Sequence, residues 1–402
     1  MKRNLFESLQ IHLNKKEFTI LTGARQTGKS TLLKQLESHC KKLGQPTVFL
    51  NLENKTVLSE LDKSPLNVFN YFPAAERRVT MFIDEVQYLQ DPSNFLKLLY
   101  DEYAGKIKIV ATGSSAFYLD DKFKDSLAGR KKIFCLLTCS FDEYLRLQDK
   151  KDLLNDVKRI QSDTKAKSIH LELLRQEWDN YMIYGGYPAV ITEPDKREKI
   201  ARLMEIRDAY VKRDVLESGV RDETAFYNLF RIIADQSGNL VNANELSLSL
   251  RIKQETVINY LHVLQKCFHV ILIRPFYKNL RKELTKMPKA YFLDTGLRNC
   301  LINNFELPDI RSDKGALWEN MYFRTLADKY GSDNILYWRT SAGNEVDFVL
   351  PYVETPHAVE VKFGKESVKE NKYKIFNGNY PELPLSYAWV RPFDEDFFRR
   401  ME

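Results

Sequence analysis

Over the first ~145 residues short apolar runs alternate with longer stretches in which apolar side chains recur every three or four positions. Phe18 to Leu21, Thr47 to Leu50, Val79 to Ile83, Ile107 to Thr112 and Lys132 to Thr138 are short, largely apolar runs and read as strands. Strands separated by helical stretches predict an α/β domain on a parallel five-stranded sheet. From Phe141 to about Ser218 the pattern becomes helical and heavily charged, broken at Tyr184-Gly185-Gly186-Tyr187-Pro188. This predicts a helical lid or connector.

A further change comes at Phe226. Helical periods over about Ala225 to Ser237, from Asn244, and over Lys253 to Lys266 precede two apolar strands, His269 to Arg274 and Ala290 to Asp294. The third period places Val257, Tyr260, Leu261 and Leu264 on one face. The intervening loop holds Lys278, Arg281, Lys282, Lys286 and Lys289 against the single acid Glu283. Three helices and a basic hairpin predict a winged helix. The last ~90 residues read as a helix near Leu317 to Tyr330 and strands near Ile335 to Arg339, Glu345 to Pro351 and Ala358 to Phe363. The expected division is residues 1–145, 146–218, 219–305 and 306–402.

Composition narrows the class. The 402 residues are 44% hydrophobic and 29% charged, with no stretch of ~18 uninterrupted apolar residues, which predicts a folded chain of several cores with no membrane span. The N-terminus lacks a secretory pattern and the five cysteines are odd in number and scattered, so a reducing, cytoplasmic setting is expected. Cys135 and Cys139 lie in an apolar run without a nearby histidine and read as buried thiols rather than metal ligands. A net charge of +6 permits nucleic acid as a partner without requiring it.

Chemistry enters at the end of the first strand. Gly23-Ala24-Arg25-Gln26-Thr27-Gly28-Lys29-Ser30 fits G-x-x-x-x-G-K-[ST] between an apolar strand and a helical run, the context a phosphate-binding P-loop requires. Glycines let backbone amides turn toward phosphates, and the helix start adds its positive dipole end. Lys29 is expected on the β- and γ-phosphates of ATP, Ser30 on Mg²⁺, and Thr31 at the same end of the nucleotide. Asp84 and Glu85 close another apolar strand, where ligands meet open α/β sheets. Asp84 is expected in the Mg²⁺ shell and Glu85 as the group polarising the attacking water. Thr112 or Ser114, at the end of a third strand, would orient that water or sense the γ-phosphate, with helix capping as the alternative. Arg130 is either an arginine finger, which would demand a homo-oligomer, or an ordinary surface side chain.

These segments, G-A-R-Q-T-G-K-S, M-F-I-D-E, A-T-G-S-S and L-A-G-R, resemble the AAA-type predicted ATPases of bacteria and archaea. In that family an ATPase core precedes a C-terminal domain of unknown function, to which Y-G-G-Y-P, D-T-G-L and W-E-N here are similar. The resemblance implies an ATPase of the additional-strand class, with Asp84 and Glu85 as its paired acids. No clear sensor-two arginine stands in the helical segment.

Two further sites are expected. The third helix presents Lys253, Gln254, Glu255, Thr256, Asn259, His262 and Lys266 opposite its apolar stripe, a face suited to a DNA major groove or to a protein contact. Near the C-terminus Glu319, Asp347 and Glu360-Val361-Lys362 follow one another in the order E…D…E-x-K, which resembles the PD-(D/E)xK restriction-endonuclease-like fold, with Val346 where a proline is usual. Glu319, Asp347 and Glu360 would then bind a divalent ion while Lys362 activates water. A retained but inactive fold, holding DNA or protein, is the alternative.

Overall fold

The computed structural model describes residues 3–71, 77–113, 127–277 and 286–401, with backbone alone at 211 and 213–218. Ser114 lies outside the described residues, as do Lys278, Arg281, Lys282 and Glu283. The chain divides into two compact units, Met1–Leu137 with Lys266–Phe268, and Thr138–Gln265 with His269–Glu402.

In the first unit β1 (Phe18–Thr22), β2 (Thr47–Asn51), β3 (Val79–Asp84), β4 (Ile107–Thr112) and β5 (Lys131–Cys135) form a wholly parallel sheet in the order β2-β3-β4-β1-β5. Side chains alternate between its faces. Phe18, Ile20, Met81, Ile83, Ile107, Ile109 and Ala111 pack one core with Leu61 of α3 (Lys55–Lys63) and Leu96 and Leu99 of α4 (Pro92–Tyr103). Leu21, Phe82 and Val110 pack the other with Phe6 of α1 (Leu5–Leu13) and Leu32, Leu33 and Leu36 of α2 (Lys29–Lys42). Because both faces of β1, β3 and β4 are covered, these strands carry uninterrupted apolar runs, whereas the edge strand β5 leaves Ile133 and Cys135 exposed, so Cys135 is not the buried thiol expected. The order places β4 between the strand feeding the P-loop and the strand ending in Asp84, so all three strand ends meet on one edge.

The second unit opens with helices α5 (Phe141–Leu147), α6 (Lys151–Ser162), α7 (Leu171–Tyr184), α8 (Pro188–Ile191) and α9 (Lys196–Ser218). Next come α10 (Glu223–Asp235), α11 (Ala243–Leu250) and α12 (Gln254–Lys266), then an antiparallel ribbon of β6 (Val270–Ile273) and β7 (Lys289–Phe292). Val257, Tyr260, Leu261 and Leu264 of α12 are buried, as the helical period requires. After α13 (Thr295–Ile302) and α14 (Lys314–Tyr330), strands β8 (Leu336–Arg339), β9 (Glu345–Leu350), β10 (His357–Gly364) and β11 (Leu385–Arg391) form a mixed sheet ordered β11-β10-β9-β8. Only β10 and β11 run parallel in it. Helices α15 (Lys374–Asn379) and α16 (Glu395–Arg400) complete this part, with Tyr373, Phe376 and Tyr380 packed on Trp338, Val346 and Val349.

One basic residue departs from expectation. Lys289 belongs to β7, paired with Ile273, and is 2% exposed, so it is no part of a solvated basic loop.

Candidate functional site

The loop from β1 to α2 is shaped by its glycines. Gly23 sits at φ +139°, and a Cβ there would collide with the Leu136 carbonyl oxygen, so only glycine lets the chain leaving β5 pass so close. Gly28 caps α2 in the left-handed region, and Gln26 also holds a positive φ of 57°. A strained non-glycine backbone of this kind persists only where its surroundings fix it. Thr27 Oγ1 donates to Ala24 O (2.9 Å), and the Lys29 ammonium donates to Gly23 O (3.0 Å) and Ala24 O (2.8 Å) from within the loop. Arg3 braces it from outside, donating to Thr27 O (2.7 Å) and Leu137 O (2.8 Å). Arg3 lies far from the motif in sequence, and nothing in its neighbourhood signals this role.

The first amide of α2 to bond back along the helix is Leu32, to Gly28 O (2.9 Å). The amides of Lys29, Ser30 and Thr31 therefore point out of the helix start, the arrangement that receives a phosphate. Burial pushes the Lys29 ammonium down to about 8, with Arg25 adding to the shift and Glu85 and Asp84 opposing it. Phosphate oxygens would supply the negative charge this buried cation lacks. Beside the loop, Thr31 lines a groove of about 540 Å³ with Phe6, Lys34, Gln35, Ser38 and Lys42.

The acids stand at the same sheet edge. Asp84 Oδ1 accepts from Ser30 Oγ (3.1 Å) and from Thr112 Oγ1 (2.5 Å), while Thr112 Oγ1 accepts the Glu85 amide (2.9 Å). Glu85 holds left-handed backbone at φ 60° and ψ 51°, and its carboxylate accepts from the Gln87 amide. One hydroxyl thus ties the two acids together at the end of β4. Adjacent ligands of an octahedral Mg²⁺ at about 2.1 Å stand roughly 3.0 Å apart. The Ser30 and Asp84 oxygens, at 3.1 Å, fit a shared edge of such an ion.

Arg130 is elsewhere. Its carbonyl accepts Phe18 N–H (2.9 Å), at the strand starts and thus at the opposite end of the sheet from the P-loop. Its guanidinium binds Asp101 through Nε–Oδ1 (2.6 Å) and Nη2–Oδ2 (3.3 Å). It cannot reach the nucleotide edge of its own chain.

In the second unit the W-E-N segment acts on β7. Asn320 Oδ1 accepts Phe292 N–H (2.8 Å) and Ser237 Oγ (2.5 Å), while its Nδ2 donates to Phe292 O (2.9 Å). This clamp turns Lys289 and Tyr291, alternate residues of one strand face, toward Glu319. Tyr291 donates to Glu319 Oε1 (2.5 Å), and Lys289 Nζ lies 3.3 Å from Glu319 Oε1, 2.5 Å from Glu345 Oε1 and 3.8 Å from Asp347 Oδ1. Asp347 also accepts Val361 N–H (2.9 Å), and its own amide donates to Glu360 Oε2 (3.3 Å). Glu360 accepts from Tyr373 Oη (2.6 Å) and from the Lys362 ammonium.

Glu319, Asp347, Glu360 and Lys362 therefore converge in one cluster. Glu319 and Asp347 face Lys289, whereas Glu360 is engaged by Lys362 and Tyr373. Among the described residues no group of three or more His, Cys, Asp or Glu could hold a metal ion. Burial pushes Glu319 and Glu360 each up to about 7, against the pull of Lys289 and Lys362 respectively. Burial alone would lower Lys289, but Glu319, Tyr291, Asp347 and Glu345 together hold it well above the ordinary lysine value.

The remaining motifs are architectural. Asp294 accepts Gly186 N–H (2.8 Å) and Leu297 N–H (3.0 Å), and Asn299 Nδ2 donates to Met182 O (3.0 Å) and Ile183 O (2.9 Å). A Cβ on Gly185 would strike Asp294, and one on Gly296 would strike Tyr184 O. Y-G-G-Y-P and D-T-G-L are thus the two halves of one close backbone crossing between the end of α7 and the start of α13.

Residues 15–145 match the family model described as AAA domain. Residues 175–307 and 314–399 match two domains of unknown function, DUF8612 and DUF4143. The chain is 26% identical over 384 residues to an uncharacterized protein of Methanocaldococcus jannaschii, covering 90% of this chain and 78% of the relative. It is 25% identical over 368 residues to an uncharacterized protein of Mycobacterium tuberculosis, covering 90% and 74% respectively. Among solved structures, the replication initiator DnaA bound to AMPPCP and single-stranded DNA aligns at TM-score 0.32 and 14% identity, over 65% of this chain and 86% of that one. At that score the likeness carries no argument.

Proposed function

We propose that the AAA-type ATPase domain over residues 15–145 binds ATP with Mg²⁺ and hydrolyses it, and that the nucleotide state governs what the second unit holds. The observation that carries this reading is the bonded array Ser30–Asp84–Thr112–Glu85 at the edge where the P-loop opens. Lys29, released from the Gly23 and Ala24 carbonyls, would bind the β- and γ-phosphates. Ser30 and Asp84 would hold Mg²⁺, which neutralises charge developing on the phosphates. Glu85, oriented by Gln87 and by the hydrogen bond its backbone N–H donates to Thr112 Oγ1, would polarise the water attacking the γ-phosphate. Radiolabelled ATP binding and turnover test these roles together. Lys29→Ala should lose binding, whereas Glu85→Gln should bind ATP and stall; turnover retained in Glu85→Gln would show that another group is the base.

For the second unit we propose DNA as the partner, held by the outward face of α12, where Lys253, Gln254, Glu255, Asn259 and His262 are exposed. A second reading, protein contact, is favoured by Leu248 on α11 and Ile258 on α12, which are 73% and 53% exposed and suit an apolar partner better than a groove of base edges. Duplex DNA titrated into the ATPase assay separates them. Salt-sensitive stimulation supports DNA. No response together with weakened partner capture in Leu248→Ser/Ile258→Ser supports protein.

A further inference from the structure

The order E…D…E-x-K carries the expectation of a divalent ion, and the donor set does not fit one. Glu319 and Asp347 are two of its expected ligands, yet their oxygens face a lysine ammonium, at 3.3 and 3.8 Å, with Glu345 at 2.5 Å on the same nitrogen. The third, Glu360, is occupied by Tyr373 and Lys362. Lys289 has no evident exit. Its strand is bonded to β6 on one side and bridged by Leu240 on the other, its side chain is 2% exposed, and the Asn320 clamp fixes β7 three residues along. The ammonium lies over the ring of Tyr337, 5.6 Å from its centroid. Charge is also nearly matched without a metal. Four carboxylates, Glu319, Glu345, Asp347 and Glu360, are met by Lys289, Lys362 and Arg339, whose Nη1 lies 2.8 Å from Glu345 Oε2.

We infer that the Lys289 ammonium stands where the fold would otherwise seat a divalent ion, so that the acidic cluster of the second unit is a metal-free, salt-bridged core that cuts no phosphodiester bond. Two properties follow from the geometry. A divalent ion cannot join Glu319 and Asp347 while the ammonium is there, because it would be coordinated by the same oxygens next to a fixed positive charge. Removing the ammonium leaves buried carboxylates with a strong demand for a cation, so an engineered metal site should appear in its place. The inference stands apart from the nucleotide reading, since none of its residues belongs to the first unit.

The probe is Mn²⁺, titrated into the full, nucleotide-free chain and followed by electron paramagnetic resonance, beside cleavage of labelled single-stranded and duplex oligonucleotides with Mn²⁺. Wild type and Asp347→Asn are expected to bind Mn²⁺ alike up to about 1 mM and to cut nothing. Lys289→Met is expected to gain a site roughly tenfold or more tighter than any in wild type, and Lys289→Met/Asp347→Asn to lose it. The melting temperature of Lys289→Met should rise with Mn²⁺ while that of wild type does not. A folded Lys289→Met that binds no Mn²⁺ would overturn the inference, as would wild-type binding or cleavage that disappears in Asp347→Asn. If Lys289→Met is recovered only unfolded, wild type against Asp347→Asn still decides: Asp347-dependent binding or cutting refutes the inference, and identical behaviour supports it.

Discussion

Thr112→Val is the sharpest probe of the nucleotide edge, because it keeps the shape of the side chain and deletes one hydroxyl. That hydroxyl is fully buried, donates to Asp84 at 2.5 Å and accepts the Glu85 amide at 2.9 Å. A hydrogen bond to a charged group contributes about 1.5–3 kcal/mol, and an orphaned buried amide costs about 1–3 kcal/mol. Glu85 holds a left-handed backbone at φ 60°, which costs roughly 1–2 kcal/mol for an L-residue and needs an anchor. Without Thr112 Oγ1 the backbone is free to relax and carry the carboxylate with it. If about 2 kcal/mol of the loss falls on the transition state, turnover drops roughly 30-fold.

The assay is steady-state ATP hydrolysis with KM and kcat separated. The loop around Gly23 and Lys29 is untouched, so KM for ATP should stay within about threefold while kcat falls. Thr112→Ser, which keeps both hydrogen bonds, should recover most of the rate. A kcat for Thr112→Val within twofold of wild type, or a change confined to KM, would refute the coupling between Thr112 and Glu85.

Three further outcomes are expected. The buried Lys29 ammonium titrates near pH 8, below its ordinary 10.5, so ATP, which needs the charged form, should bind equally well below pH 8 and more weakly above it, by up to about tenfold per pH unit; calorimetry with Lys29→Arg, expected to be flat over that range, checks the assignment. Arg130→Ala should hydrolyse ATP within about threefold of wild type, since the side chain sits at the strand starts on Asp101; a concentration-dependent loss of a hundredfold or more would establish action on a neighbouring subunit. Asn320→Ala strips partners from Phe292 N–H, Phe292 O and Ser237 Oγ together and should destabilise the second unit by about 3–5 kcal/mol in urea denaturation, with Asn320→Asp recovering only part because it lacks the donor.

The sequence reveals the first unit best because its central strands β1, β3 and β4 are buried on both sides. Thr80 to Ile83 and Lys108 to Ala111 are nearly continuous apolar runs, and the G-x-x-x-x-G-K-S spelling fixes the turn between β1 and α2. The strand order was not legible, since nothing local says that β4 enters between β1 and β3. Thr112 could therefore be named as a candidate but not seen as the link between Asp84 and Glu85. In the second unit β11 escaped detection: within Leu385 to Arg391 only Ala388 and Val390 are fully buried, the other positions are partly buried or exposed, and the strand carries Ser and Arg. The error over Lys289 has a similar cause. Counted with its neighbours it belongs to a basic loop, and only pairing with Ile273, with acids 30 and more residues downstream, makes it a core residue. Glycines in Y-G-G-Y-P and D-T-G-L resemble ligand-binding turns locally, and only their mutual approach shows that they serve packing.

The two acid clusters show how the immediate neighbour of a carboxylate decides its chemistry. Asp84 is met by two hydroxyls, Ser30 and Thr112, whose oxygens are neutral and one of which can share a metal's shell. Its partners give up little when a divalent ion arrives. Asp347 is met by two ammonium groups, Lys289 and Lys362, each 3.8 Å from one of its oxygens. A divalent ion at about that distance from a fixed single positive charge is repelled by on the order of 8 kcal/mol at an effective dielectric constant near 20. That exceeds the whole binding free energy of a weak millimolar site. On the two readings proposed above, the nucleotide edge would accept Mg²⁺ and the C-terminal cluster would refuse it, although both present paired carboxylates in the sequence. Spacing alone cannot separate the two cases, because the deciding groups, a threonine on β4 and a lysine on β7, come from strands that neither acidic motif contains.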